Sequence, residues 1–164
     1  MIHYYYGNGK GKTSAAAGAC IRALGSGMKC AFVQFHKNGT SSEITVLRQL
    51  QTDVFTCTGS IRFFRDMTAQ EITAVTKMHN ENLQRVLQKT YDLIVLDELG
   101  DALLRETVDA AAVLALLKAP PCELIITGHK PDPLLTEYAD YITEFRCIAH
   151  PYRSGCSARR GIEY

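Results

Sequence analysis

Short apolar segments alternate with longer amphipathic segments along the chain. The short segments are rich in β-branched and aromatic residues, as strands are, and they lie at residues 2–6, 30–35, 54–56, 93–96, 124–127 and 141–148. Several of them are continuously apolar, which is typical of strands covered by helices on both faces. The alternation predicts an α/β fold of three layers, with a mostly parallel central sheet of about six strands.

Signals for helix ends divide the longer segments. Thr68 and Glu71 are spaced as a capping box, which begins an amphipathic pattern that continues to Leu87. Two further helices are predicted in the same way, one from Thr107 or Asp109 to near Lys118 and one from Asp132-Pro133. Residues 37–42 and 58–66 show neither pattern, and long connections in compact α/β domains are often functional.

Composition and charge exclude several classes of protein. The 164 residues fit a single domain, residues 1–164, and 46% hydrophobic with 21% charged residues is typical of a soluble globular protein. The net charge is +1 with Lys and Arg spread along the chain, so nucleic acid is not indicated as a main partner. No apolar stretch reaches the ~20 residues of a membrane helix, and the N-terminus does not resemble a signal peptide. We therefore expect a cytoplasmic protein without a membrane partner.

The six cysteines and five histidines show none of the spacings expected of a zinc site or a thiol redox motif. Most of the cysteines stand beside apolar residues, where a thiol acts as a small hydrophobic side chain. We expect reduced, structural cysteines in a reducing cytosol.

A glycine-rich segment is the strongest motif of the sequence. It follows the first predicted strand, leads into a helix of small residues, and consists of Gly7, Asn8, Gly9, Lys10, Gly11, Lys12, Thr13 and Ser14. Glycines allow the backbone N–H groups to turn towards a phosphate, and the helix N-terminus adds its positive dipole end. Lys12 then supplies charge to the phosphates and the Thr13 hydroxyl ligates Mg²⁺. Tyr6 stands where the common P-loop spacing has its first glycine, but G-K-T between a strand and a helix still predicts a P-loop (RecA-like) nucleotide-binding fold.

Two carboxylates follow the fourth predicted strand. Asp97 and Glu98 end the apolar run 93–96, as in a Walker B element. Because ligands of open parallel sheets bind at the carboxyl ends of the strands, both carboxylates are expected at the same edge as the phosphate loop. They are candidate metal ligands together with Thr13.

The remaining motifs resemble one family. Residues 7–14 closely resemble the G-N-G-K-G-K-T-T loop of the P-loop class of corrinoid (cobalamin) adenosyltransferases, and residues 150–164 resemble the tail H-P-F-x-x-G-x-x-A-x-x-G-I-E-Y of that family. Between them, residues 25–37, 96–99 and 125–144 are similar to its G-x-G-K…V-Q-F-x-K, L-D-E-L/I and I-I-T-G-R…A-D-x-V-T-E-M. The resemblance covers nearly the whole chain.

The resemblance implies transfer of the 5′-deoxyadenosyl group of ATP to Co(I) of a reduced corrinoid, with release of triphosphate, in adenosylcobalamin biosynthesis or salvage. Such proteins bind ATP in the reverse sense, so that the ribose C5′ faces the corrinoid. Lys12, the loop amides and Mg²⁺ then stabilise the departing triphosphate. No protein nucleophile is expected, because Co(I) attacks C5′ itself. A flavoprotein that reduces the cobalt and a homodimeric assembly are further family expectations.

The same resemblance suggests further binding residues. The ATP site comprises residues 7–14 with Glu98 and Lys130. Family members commonly carry an arginine after the I-I-T-G strand, where this chain has His129-Lys130. A histidine cannot bind phosphate bidentately as an arginine does, so either Lys130 substitutes for the arginine or the contact is lost. Phe63 and Phe64 follow the Cys57-Thr58-Gly59 turn at a small displacement from the aromatic pair that presses on the corrinoid in well-studied members. These two phenylalanines either contact the corrinoid or belong to the core.

Two other functions share the same motifs. A P-loop phosphotransferase or NTPase would keep the loop and Asp97-Glu98, but it would leave the C-terminal match unexplained. A corrinoid-delivering binding protein on the same scaffold would keep the whole site and hand over its product.

Overall fold

A computed structural model describes residues 1–59, 61–62, 64–151 and 155–162 of the chain. Six strands form one parallel sheet in the order β3-β2-β4-β5-β1-β6. The strands are β1 (Ile2–Tyr6), β2 (Cys30–Gln34), β3 (Asp53–Phe55), β4 (Leu93–Asp97), β5 (Glu123–Gly128) and β6 (Tyr141–Glu144). The helices are α1 (Lys12–Gly25), α2 (Ser42–Gln49), α3 (Ala69–Leu87), α4 (Leu99–Leu104), α5 (Ala110–Lys118) and α6 (Pro133–Tyr138), and a 3₁₀ turn covers Phe64–Asp66.

The sheet confirms the predicted α/β fold with six strands, and its pairing is parallel throughout. The predicted capping box is present at the start of α3, where the Thr68 hydroxyl accepts from the Glu71 amide at 3.3 Å and the Glu71 carboxylate accepts from the Thr68 amide at 2.6 Å. Asp109 and Asp132 cap α5 and α6 through their side chains. Local capping chemistry therefore starts three of the helices as the sequence predicts.

Three elements differ from the predictions. Strand β6 ends at Glu144 instead of residue 148, because the Phe145 backbone turns away to bond the phosphate loop. Helices α2 and α4 were not predicted. Both are short and neither has a side-chain cap bond, so their ends carry little of the signal that marks the other helices.

Alternate residues of the central strands enter two separate hydrophobic clusters, one on each face of the sheet. In β4, Ile94 and Leu96 join the cluster under α3 to α6, whereas Leu93 and Val95 join the cluster under α1 and α2. Successive side chains of a strand point to opposite faces, and both faces are apolar here. Burying a Leu or Ile side chain contributes about 1.5–3 kcal/mol, so the two clusters hold the sheet and its carboxyl edge rigidly.

All six cysteines have free thiols. Burial raises the pKa of Cys20 to about 12 and that of Cys57 to about 11, as for inert structural thiols. Within the described ranges, no helix is long and apolar enough to cross a membrane.

Candidate nucleotide-binding site

The phosphate loop connects β1 to α1 at the carboxyl edge of the sheet. Its backbone is tied on both sides, because the Gly7 amide donates to the Gly128 carbonyl (3.2 Å) and the Gly9 amide to the Phe145 carbonyl (2.7 Å). Gly7 has φ 121°, and a Cβ atom there would lie 2.3 Å from the Phe145 carbonyl oxygen. Glycine is required at this position both by conformation and by the close approach of the neighbouring chain.

Lys12 folds over the loop from the first residue of α1. Its ammonium donates to the carbonyls of Gly7 (2.7 Å) and Gly9 (2.8 Å). Burial lowers the pKa of Lys12, against the opposing effect of the nearby carboxylates of Asp101, Glu98 and Asp97. The lysine therefore lies inside the loop, with its charge where a phosphate group would be received.

A cavity of about 340 Å³ opens above the loop. It is lined by residues 8–14, by Glu98, Thr127 and His129 at the ends of β4 and β5, and by His150 and Ile162 of the tail. The cavity thus gathers the predicted loop, one predicted carboxylate and part of the family-like tail. Tyr152, Glu163 and Tyr164 of that tail lie outside the described residues.

Asp97 is fully buried at the base of the cavity, at 0% exposure. One carboxylate oxygen accepts from the hydroxyls of Thr13 (2.9 Å) and Thr127 (2.8 Å). The other accepts from Lys37 Nζ (2.7 Å) and Gln34 Nε2 (3.3 Å). Four donors saturate this carboxylate, so it orients the surrounding side chains and has little capacity for a further ligand.

Lys37 is a member of the site to which the sequence assigned no role. Its ammonium lies 2.7 Å from Asp97 Oδ2, 3.2 Å from Glu98 Oε1 and 3.2 Å from the Thr13 hydroxyl oxygen. Burial by itself lowers the pKa of Lys37, but the two carboxylates outweigh burial and the pKa is raised overall. The sequence feature that could have indicated a role for Lys37 is its place in the V-Q-F-x-K segment, shortly after β2.

Glu98 turns the chain from β4 into α4 in the left-handed conformation, with φ 64°. Its amide donates to the Thr127 hydroxyl at 2.8 Å, and its carboxylate lines the cavity. Burial raises the pKa of Glu98, and Lys37 opposes that rise. A non-glycine residue in this conformation costs roughly 1–2 kcal/mol, so the surrounding contacts must hold it in place.

His129 follows β5 and lines the same cavity as the loop. Its Nδ1 lies 2.9 Å from Asp101 Oδ2, and its amide donates to the same oxygen at 3.1 Å. Lys130 is exposed and is not among the residues that line the cavity, while its carbonyl accepts from the Tyr4 hydroxyl. The phosphate contact expected of Lys130 stays a prediction, and the neighbouring His129 is the residue that lines the cavity.

Asn8 uses its side-chain oxygen within the protein. Asn8 Oδ1 accepts from the Cys147 amide at 2.9 Å, which fixes the segment after β6 against the loop. Asn8 is among the residues that line the cavity, and its predicted contact with the nucleotide stays a prediction.

Phe64 is half-buried in the connection after β3. Its ring packs edge-to-face on His36 with centroids 5.8 Å apart, and the Arg105 guanidinium carbon lies 5.1 Å from its centroid. His36 precedes Lys37 in the sequence, and its ring also contacts His79, with centroids 4.6 Å apart. Phe63 lies outside the described residues, and contact of either ring with a corrinoid stays a prediction.

A glycine loop between a strand and a helix, with a buried Asp-Glu pair after a second strand of the same sheet edge, defines a P-loop nucleotide-binding protein. Within that class, the family model for "ATP:corrinoid adenosyltransferase BtuR/CobO/CobP" matches residues 1–164. The chain belongs to this ATP:corrinoid adenosyltransferase family.

Curated relatives agree with this assignment. A protein named corrinoid adenosyltransferase from Pseudomonas aeruginosa is 33% identical over 100% of this chain and 83% of its own length. A protein of the same name from Sinorhizobium is 30% identical over 96% of this chain and 77% of its own length. The Salmonella typhimurium corrinoid adenosyltransferase CobA is 29% identical over 100% of this chain and 85% of its own length.

Proposed function

We propose that this chain, as one domain over residues 1–164, transfers the 5′-deoxyadenosyl group of ATP to Co(I) of a reduced corrinoid and uses its phosphate loop to hold the leaving triphosphate. The cobalt electron pair forms the Co–C5′ bond, the bond from C5′ to the α-phosphate oxygen breaks, and that oxygen leaves with the bonding pair. The observation that carries the proposal is the position of Lys12 inside the loop, held by the carbonyls of Gly7 and Gly9.

The chain's task in this step is to stabilise negative charge on the leaving group. Lys12 provides a full positive charge, and the first-turn amides of α1, from Lys12 to Ser14, have no partner within the helix. Gly7 and Gly9 use their amides to fix the loop. Lys10 and Gly11 complete the wall of the cavity. Fixed donors of this kind need no reorganisation as charge develops, which lowers the barrier to departure.

The donor set at the base of the cavity fits a magnesium ion. The Thr13 hydroxyl and the carboxylates of Asp97 and Glu98 converge on a single cation, the Lys37 ammonium, so the protein already concentrates oxygen ligands there. Mg²⁺ prefers one or two protein oxygens together with phosphate oxygens and water. Thr13 and Glu98 would hold the ion, with Asp97 hydrogen-bonded to Thr13, and the ion would supply further positive charge to the triphosphate.

The corrinoid half of the site is proposed at the connection after β3. Phe64, with Phe63 beside it in sequence, would press on the corrinoid ring. Support for this placement comes from the chain, since Phe64 contacts His36, and the next residue, Lys37, donates to the Thr13 hydroxyl oxygen of the nucleotide cavity.

Further partners are proposed from the family alone. We infer that a flavoprotein supplies the electron that makes Co(I), that the chain works as a homodimer, and that it acts in the cytoplasm.

The phosphate loop is tested by Lys12→Ala. We expect at least a hundredfold loss of adenosylation, because a fixed donor to a leaving group contributes about 3–4 kcal/mol to catalysis. Adenosylcobalamin formation is measured anaerobically with chemically reduced cobalamin, and circular dichroism checks the fold. Lys77→Ala is the matched control, because Lys77 lies on the exposed face of α3 and pairs only weakly with Glu81. Full activity in Lys12→Ala would contradict the assignment of the loop.

A further inference from the structure

We propose that His129, oriented by Asp101, is the second positive group that binds the triphosphate in this chain, in place of the arginine that family members commonly carry. The inference rests on the proposed function, since it concerns the same cavity. The pairing of His129 with Asp101 is what neither the sequence motifs nor the family resemblance indicates.

The position of His129 at the loop is the first argument. Its side chain lines the cavity above the loop and also an adjoining cavity of about 350 Å³ that reaches Gly7 and Asn8 from the other side. At 55% exposure the ring is accessible from solvent while one edge is held by the protein. A ligand that occupies the loop cavity therefore meets this ring.

The orientation of the ring is the second argument. Asp101 is 3% exposed and lies on α4, directly behind the cavity. Its Oδ2 accepts from the His129 amide at 3.1 Å and lies 2.9 Å from Nδ1. A buried carboxylate at this distance fixes Nδ1 as the protonated nitrogen and leaves Nε2 as the free edge of the ring.

The charge of the ring is the third argument. Neutral His129 presents an Nε2 lone pair, which repels phosphate, whereas protonated His129 presents an Nε2–H donor. The hydrogen bond to Asp101 raises the pKa of His129 above its usual value, and the Asp101 and Glu98 carboxylates outweigh the opposing effects of burial and Lys12. The charged and titratable groups around the ring are Asp101 on α4, Arg105 directly after that helix, Lys12 on α1, Glu98 after β4, Glu144 at the end of β6, and Arg146 and His150 after β6.

Lys130 does not meet the same conditions. It is exposed and lines neither of the two cavities at the loop. The residues on either side of it, His129 and Pro131, both line the adjoining cavity. The adjacent histidine, with its buried carboxylate, is the residue placed to receive a phosphate.

The pairing makes triphosphate affinity depend on pH. Below the pKa of His129 the donor is present, and as pH rises through that pKa the donor is lost. We expect the Kd for inorganic tripolyphosphate to rise about tenfold from about pH 6 to about pH 9, as for the loss of one charge-assisted hydrogen bond.

The test is calorimetric titration with tripolyphosphate over this pH range, without corrinoid or metal. His129→Gln should bind several-fold more weakly than the unaltered chain at the acidic end and show a flatter pH profile. His129→Arg should bind tripolyphosphate more tightly than His129→Gln does. Its affinity should no longer fall with the titration of residue 129, because a guanidinium stays charged. Asp101→Asn should move the fall in affinity to lower pH. His3→Gln, at the opposite end of β1 from the loop, controls for an unrelated histidine.

Each outcome separates two claims. If Lys12→Ala weakens tripolyphosphate binding but His129→Gln keeps the unaltered profile, the role of His129 is contradicted and the loop assignment stands. If Lys130→Gln removes the affinity that His129→Gln leaves, the lysine is the binding group. If the unaltered chain and Lys12→Ala bind equally, the proposed function itself is contradicted. Because Asp101 is buried, the Asp101→Asn variant can fail to fold, but the two His129 variants decide the question without it.

Discussion

Lys37 shows how single residues balance charge at the base of the cavity. A buried Asp97 and a largely buried Glu98 would be strongly unfavourable side by side without a cation. The Lys37 ammonium lies within 3.2 Å of both carboxylates and of the Thr13 hydroxyl oxygen, where the proposed metal ligands converge. The protein thus carries an internal cation beside the oxygen atoms proposed to hold magnesium.

Replacing that cation should make the chain depend on metal. We expect Lys37→Met to lower the free energy of unfolding by about 3–5 kcal/mol, because it leaves buried carboxylates uncompensated. Mg²⁺ should restore part of the lost stability. In the absence of nucleotide, it should also bind the Lys37→Met variant more tightly than it binds the unaltered chain. Urea unfolding with and without Mg²⁺ measures both effects.

Lys89→Met is the matched control, since Lys89 pairs with an aspartate, Asp53, in an exposed position. It should cost at most about 1 kcal/mol and gain no dependence on Mg²⁺. A Lys37→Met protein that is as stable as the unaltered chain and indifferent to Mg²⁺ would contradict this role for Lys37.

The element that determines the shape of the phosphate loop is the segment after β6. The Phe145 amide donates to the Tyr6 carbonyl at 2.7 Å, and its carbonyl accepts from the Gly9 amide at 2.7 Å. The same segment passes so close that a Cβ atom on Gly9 would lie 2.7 Å from the Phe145 carbonyl carbon. The loop is therefore held by a strand remote in sequence as well as by its own glycines.

Two glycine-to-alanine changes distinguish the steric contact between Gly9 and Phe145 from the conformational effect of replacing any glycine by alanine. Gly9→Ala should destabilise the fold by about 1–3 kcal/mol, as overpacking does, and should weaken ATP binding. Gly18→Ala should stabilise the fold by about 0.5–1 kcal/mol, because Gly18 lies within α1 with nothing within 4 Å of its added Cβ atom. Thermal unfolding of both variants is the measurement, and equal shifts in the same direction would contradict the proposed constraint on the loop.

At the scale of the whole molecule, the parallel sheet brings five chain segments to one edge. The loop follows β1, Lys37 follows β2, Glu98 follows β4, His129 follows β5 and Phe145 follows β6. Because every strand points the same way, their carboxyl ends meet, and residues as far apart in sequence as Asn8 and Cys147, 139 positions, build one site.

The sequence predicted the parts of this arrangement that depend on local patterns. The strands follow from continuous apolar runs, the start of α3 from the Thr68–Glu71 box, and the loop and Asp97-Glu98 from their place beside strands. The contacts of Lys37 with Asp97, and of His129 with Asp101, join residues that are 60 and 28 positions apart. Such pairs depend on strand order, which apolar patterns do not specify, and so the two pairs were not foreseen.

Short elements escaped prediction for a related reason. Helix α4 has six residues and begins directly after a left-handed Glu98, so it is too short for a periodic pattern and has no side-chain cap. The early end of β6 depends on backbone bonds from Phe145 to a loop at the other end of the chain. Neither feature is encoded by the residues next to it.

The central claim is that this corrinoid adenosyltransferase uses its P-loop to hold triphosphate as a leaving group. The most direct test is anaerobic incubation of the chain with ATP, Mg²⁺ and chemically reduced cob(I)alamin, followed by the visible spectrum and by chromatography of the phosphates. We expect the Co(I) band to disappear while adenosylcobalamin and intact triphosphate appear in equal amounts. Unchanged corrinoid with release of ADP or orthophosphate would contradict the account and indicate a phosphotransferase or NTPase.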